Sequence, residues 1–151
     1  MKKIEEFENA VISIFNLDGW KLKHVGGFSH YDAIGKTPKG VDCVLEIKHR
    51  STYYETKMLE KYKYDKLIEE NKVALYFVND PKGNYLFWLN NLEMPDPVDM
   101  YCPDTTLWTK KKLLKPCYLL TESMATIVNQ NEKLKKGVYD DYFAKQKNKK
   151  K

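Results

Sequence analysis

The sequence predicts one α/β domain, a mixed sheet flanked by helices, and three observations predict it. Between Lys3 and Asn16 the apolar residues Ile4, Phe7, Val11, Ile14 and Phe15 keep the spacing of one helical face. From Val41 to Arg50 the chain alternates without a break: Val41, Cys43, Leu45 and Ile47 point one way, and Asp42, Val44, Glu46, Lys48 and Arg50 the other. The run "KVALYFVND" is so apolar that it reads as a strand buried on both faces, beside a crossover helix.

In chain order, the first helix stops over Asn16 to Gly19, where Gly19 suits a left-handed cap. "WKLKHV" is a first strand, "GGFSH" a bend, and a short second strand begins near Tyr31. "GKTPKG" has the glycine and proline of a hairpin turn, which folds the second strand back on the third. A helix is expected from about Glu55 to Glu70, then the apolar strand, then "PKG" and a further strand, "NYLFWLNN". A helix between the third and fourth strands is a natural crossover between parallel neighbours. After Leu92, "EMPDPVDMYCPDTTLW" reads as an irregular wrap, "KPCYLLTE" as strand or loop, and Met124 to Lys136 as a terminal helix.

The chain has 151 residues, enough for one hydrophobic core. Its net charge of +5 sits at one end. Five of the 26 basic residues lie in Lys145 to Lys151, which leaves 21 bases against 21 acids elsewhere. A solvated tail is the simpler reading of this lysine run; an arm that raises affinity for phosphates is the functional one. The single arginine, Arg50, lies on the alternating strand, and its planar fork suits phosphate. Cys43, Cys102 and Cys117 have no paired CxxC spacing, so no zinc site is readable. No segment reaches the roughly 18 apolar residues of a membrane span, and a reduced cytoplasm is the expected location.

The charged face of the third strand has a plain reading, a strand with one wet side. Three features argue for more. The crossover places this strand inside the sheet, where charges need a cleft or partners. Asp32, at the start of the antiparallel second strand, comes near Glu46, and two carboxylates held together repel unless a cation lies between them. Lys63, four residues from both Leu59 and Leu67, points toward the sheet with them. A hard cation such as magnesium suits the two carboxylates, completed by waters and by the backbone carbonyl of Ile47. Lys48 would orient or deprotonate a water, and Arg50 and Lys63 would hold the phosphate backbone. The set describes metal-assisted phosphodiester hydrolysis.

"YDAIG" followed by "LEIKHR", set between a helix and strand and a helix-strand pair, resembles the PD-(D/E)XK nuclease superfamily. The resemblance implies a restriction-endonuclease-like core of helix, three-stranded meander, crossover helix and further strands. It implies Asp32 and Glu46 as metal ligands and Lys48 as the catalytic lysine. It spans about Lys3 to Leu89, so residues 1–92 are expected to form the nuclease core, 93–143 an extension packed on it, and 144–151 a disordered tail. Archaeal-type Holliday junction resolvases of that superfamily carry a further glutamate on the first helix, and "ENAVISIFNLDGW" is similar, which puts Glu8 in that role. Glu8 has a second reading, a boundary residue with its head in solvent. Tyr31 stands where a proline often precedes the aspartate. The later helix and the "CPDTT" and "YLL" segments look like small phage and mobile-element members, which would place the protein in a host cytoplasm.

The expectation is therefore an endonuclease acting on DNA, dependent on magnesium with manganese as substitute, and a homodimer if it cuts branched or duplex DNA. The alternative is a non-catalytic nucleic-acid-binding or host-interacting phage protein of the same fold. Tyr53, Tyr54, Tyr62 and Tyr64 could stack on bases or serve as rim packing. "WTKKKLLK" is a DNA contact or a solvated loop. Cys43 belongs to the core. His24, His30 and His49 show no ligand spacing, though His30 borders Asp32.

Overall fold

Helix α1 (Lys2–Leu17) ends as the cap chemistry demands: Gly19 takes a φ of 96°, and the Trp20 N–H turns back to the Phe15 carbonyl at 3.2 Å. The computed structural model that shows this describes residues 2–26, 29–103 and 112–126. Strands β1 (Lys21–His24), β2 (Ala33–Lys36) and β3 (Asp42–His49) follow as an antiparallel meander. β4 (Thr56–Glu60) and helix α2 (Lys61–Glu69) lead to β5 (Val73–Asp80) and β6 (Gly83–Trp88). β7 (Val98–Pro103) and β8 (Lys112–Thr121) close the described chain, apart from short 3-10 turns at Leu89–Asn91 and Glu122–Met124.

The main sheet has the order β1-β2-β3-β5-β6, with β3 parallel to β5 and every other pairing antiparallel. β5 is an interior strand, between β3 and β6, and is buried on both sides, so the apolar run means what its composition implies. Leu75 and Phe77 pack with Val11, Ile14 and Phe15 of α1; Ala74, Tyr76 and Val78 pack on the other face with Leu67 of α2 and Leu120 of β8. The first face is helix on sheet. The second is covered by α2 and by a separate three-stranded sheet, β4-β8-β7.

Gly35 lets the meander close. A Cβ there would stand 1.8 Å from the Lys21 carbonyl oxygen of the neighbouring strand, a clash with backbone that no side-chain movement relieves.

Four expectations need correction. The helix expected over 55–70 is helical only from Lys61; Thr56–Glu60 is a strand. Its period-two burial hides Lys57 and Leu59 on one side, and the buried Lys57 is met by Asp80 and Glu122, partners far off in sequence. The region after Leu92 also contains a regular strand where an irregular wrap was expected. Pro95 and Pro97 precede β7 and Pro103 ends it, leaving the intervening residues to pair with the first half of β8, from Lys112 to Cys117. Val41, expected to face inward with Cys43, is half exposed in the turn, while Cys43 is fully buried. The second strand starts at Ala33, two residues after Tyr31. The helix expected at 124–136 lies outside the described residues from 127 on, as do the lysine tail and most of "TTLWTKKK".

Candidate active site at the end of the third strand

Asp32 is fixed by its backbone and its side chain together. Its N–H donates to the Leu45 carbonyl at 2.9 Å, and its own carbonyl accepts from the Val25 N–H at 2.8 Å. The ladder between β2 and β3 ends at Ala33↔Leu45. Beyond it, the Asp32 carboxylate takes the place of a strand: Oδ2 accepts the Ile47 N–H at 2.8 Å. The amide that β2 would otherwise leave unpaired thereby pulls the carboxylate toward β3. A residue's N–H and C=O leave a strand on the same edge, so the Ile47 carbonyl is directed to this side too.

Glu46 lies on the second face of the sheet and is 7 % exposed. Lys63 Nζ, from α2, donates to its Oε2 at 2.8 Å. Lys63 therefore meets the sheet as expected, although Leu59 belongs to β4 and only Leu67 shares its helix. Burial, and after it the charge of Asp32, push the Glu46 carboxyl up to about 8. Lys63 opposes this without cancelling it. Desolvation pulls the Lys63 ammonium down, but Glu46 outweighs it and holds the amine above its ordinary value.

Glu8 reaches the same neighbourhood from α1. Its Oε1 lies 2.9 Å from His24 Nε2, burial raises its carboxyl, and Asp32 adds to the rise. Asp32 is thus the common neighbour that disfavours a negative charge on both Glu8 and Glu46. Lys48, on the Glu46 side of β3, is exposed; desolvation, then Arg50, lower its ammonium below the usual lysine range. Among the described residues neither Lys48 nor Arg50 forms an ion pair with a carboxylate.

His24 and Tyr76 belong to this setting and carried no signal of their own in the sequence. His24 stands opposite Ala33, next to Asp32, a position visible only once the register is known. Tyr76 stands opposite Glu46 on β5; its hydroxyl donates to the Met58 carbonyl at 2.8 Å, and Arg50 hydrogen-bonds to it. His30 packs edge-on against Tyr62 of α2 with ring centroids 6.2 Å apart. His49 is tied to Asn79 at 2.7 Å on the opposite face from Glu46.

The donor set fits a hard cation. Among the described residues no three Asp, Glu, His or Cys side chains form a ready-made cage, but a magnesium ion keeps several waters and needs only one or two carboxylates. Asp32 and Glu46 supply two, in mutual repulsion that a cation relieves.

No protein-family model and no curated protein matches the sequence. The solved structures do offer a match: Hjc, a Holliday junction resolvase from the archaeal hyperthermophile Archaeoglobus fulgidus, is similar over 83 % of this chain and 91 % of that one. The TM-score is 0.56 at 14 % sequence identity. The two chains share a fold. The mixed sheet flanked by helices is the resolvase arrangement.

Proposed function

We propose that this protein is a divalent-metal-dependent endonuclease that hydrolyses phosphodiester bonds in DNA, with branched DNA as its preferred class of substrate. The observation that carries the reading is the Asp32–Ile47 hydrogen bond, which sets one carboxylate beside a second, Glu46, with Lys48 on the same face. A protein that merely binds DNA gains nothing from two carboxylates turned toward an anionic ligand. Hjc, the solved structure of like fold, is a resolvase, which favours branched DNA.

Asp32, Glu46 and the Ile47 carbonyl would hold the ion, with magnesium, or manganese in its place, as the class of cation such oxygens select. When bound, it would supply Lewis-acid polarisation of the phosphoryl group and a more acidic water. The chain's own residues do the rest. Lys63 favours the ionised form of Glu46, the form that can ligate. Lys48, its ammonium held below the usual lysine range by desolvation and by Arg50, gives up a proton at Nζ more readily than an ordinary lysine does. Arg50 offers a planar fork to a phosphate along the strand axis from Lys48. Glu8, held by His24, sets the charge around Asp32 from the other side. Two such sites about a twofold axis would cut two antiparallel strands, so the active species on junctions is a homodimer.

The test is nicking of supercoiled plasmid and of a synthetic four-way junction in magnesium, manganese or chelator. Metal-dependent cleavage is expected, reduced by roughly 10²–10⁴-fold in Lys48→Ala and abolished in Asp32→Asn, with both variants folded. DNA binding without cleavage under every metal condition would replace this reading with a non-catalytic binding protein.

A further inference from the structure

Past the end of β3, a cleft of about 360 Å³ opens between the core sheet and the β4-β8-β7 sheet. We infer that this cleft receives an unpaired nucleotide of the DNA strand whose backbone lies at Asp32, Glu46 and Lys48. The inference rests on the endonuclease reading and narrows its substrate to DNA with unpaired nucleotides beside the cut: a gap, a flap or the open centre of a junction.

Position comes first. Arg50 lines the cleft, and its N–H still donates to the Asn79 carbonyl at 2.8 Å, so the chain keeps its strand-like course there. Arg50 is two residues from Lys48, about 7 Å along a strand, and Val78, opposite Lys48 in the ladder, forms part of the wall. The cleft begins where the candidate site ends, about one nucleotide step away.

Shape and chemistry come next. The volume lies at the small end of the range for ligand sites and admits a single nucleotide, not a duplex. The wall is apolar, with Met58, Val78 and Leu119. Two tyrosines stand at the mouth, Tyr54 at 60 % and Tyr101 at 68 % exposure, and neither packs on another ring among the described residues. Exposed aromatic faces beside cations are what unstacked bases bind, because every base offers a π-face and every link a phosphate. Arg50 and Lys112 supply the cations. The acid in the wall, Asp80, is neutralised by Lys57 Nζ at 2.8 Å and does not repel an anionic strand.

The experiment measures binding of the full chain, in chelator, to an intact duplex and to the same duplex with a short gap carrying 2-aminopurine. The gapped DNA is expected to bind on the order of tenfold tighter, with a change in probe fluorescence. Tyr54→Ala and Tyr101→Ala should each remove most of that preference and leave binding to intact duplex and the thermal midpoint unchanged. Equal affinity for the two DNAs, or a preference that survives both substitutions, overturns the cleft assignment while the endonuclease reading stands. Failure to bind any DNA overturns both.

Discussion

Lys63 Nζ meets Glu46 Oε2 at 2.8 Å, a contact between a surface helix and the buried middle of a sheet. Its amine is partly in water while its carboxylate partner is almost wholly buried. The pair therefore offsets only part of what Glu46 loses on leaving solvent.

The consequence is a stability that falls as pH rises. Glu46 binds its proton more tightly folded than unfolded, so its favourable contribution is whole below about pH 4.5 and is lost as pH rises through about 8. Denaturant titrations of metal-free protein should show a loss on the order of 2–4 kcal/mol between these limits. Glu46→Gln should flatten the slope, and Lys63→Met should move its upper limit to higher pH. Parallel slopes for wild type and Glu46→Gln would show that Glu46 titrates normally.

A divalent cation should reverse that loss, because it competes with the proton on Glu46. Magnesium at a hundred times its dissociation constant stabilises by about 2.7 kcal/mol, a rise of several degrees in the midpoint for a chain of this size. The shift should be larger at pH 8 than at pH 5.5 and absent in Asp32→Asn. An equal shift in that variant would place the ion elsewhere.

Lys57 and Asp80 form a second charged pair, and here both side chains are buried. Lys57 also donates to the Tyr54 carbonyl and lies over the rings of Tyr53 and Tyr85, while Asp80 Oδ1 accepts from the amides of Lys82 and Gly83. Removing one partner strands the other. Lys57→Ala should destabilise by about 3–5 kcal/mol in urea unfolding, and Lys57→Ala with Asp80→Asn by less than the sum of the single changes.

Gly35→Ala should be destabilising by about 1–3 kcal/mol, since its methyl would meet the Lys21 carbonyl and part β1 from β2. Gly26→Ala, where added carbon meets nothing, is the control. Equal midpoints for the two would mean that the strands separate freely.

Most of the core was legible because its signals are local. The α1 stripe, the alternation along β3 and the doubly buried β5 each announce themselves within a dozen residues, and the crossover follows from them. The approach of Asp32 to Glu46 was readable as well, since a short hairpin turn sets their register. β4 was not. "TKMLEKYKYDKL" offers helical spacing throughout, and what makes its first five residues a strand is a ladder to β8 and an acid on β5. β7 was obscured by prolines that flank it. His24 and Tyr76 come to the site only through cross-strand register, which one strand's residues do not encode.

The strand that interrupts the crossover also orders the events of folding. Thr56 pairs with Thr121, well over a third of the chain away, so β4 has no ladder until the last described strand has been synthesised. The meander, α1 and β5 can meet early through short loops, whereas the β4–β8 ladder must close a long one, and such closures are slow. Until then Lys57 lacks Glu122, and the wall that β8 gives the cleft through Leu119 does not exist. The two carboxylates can therefore assemble before the surface beside them does: the proposed metal site matures ahead of the cleft.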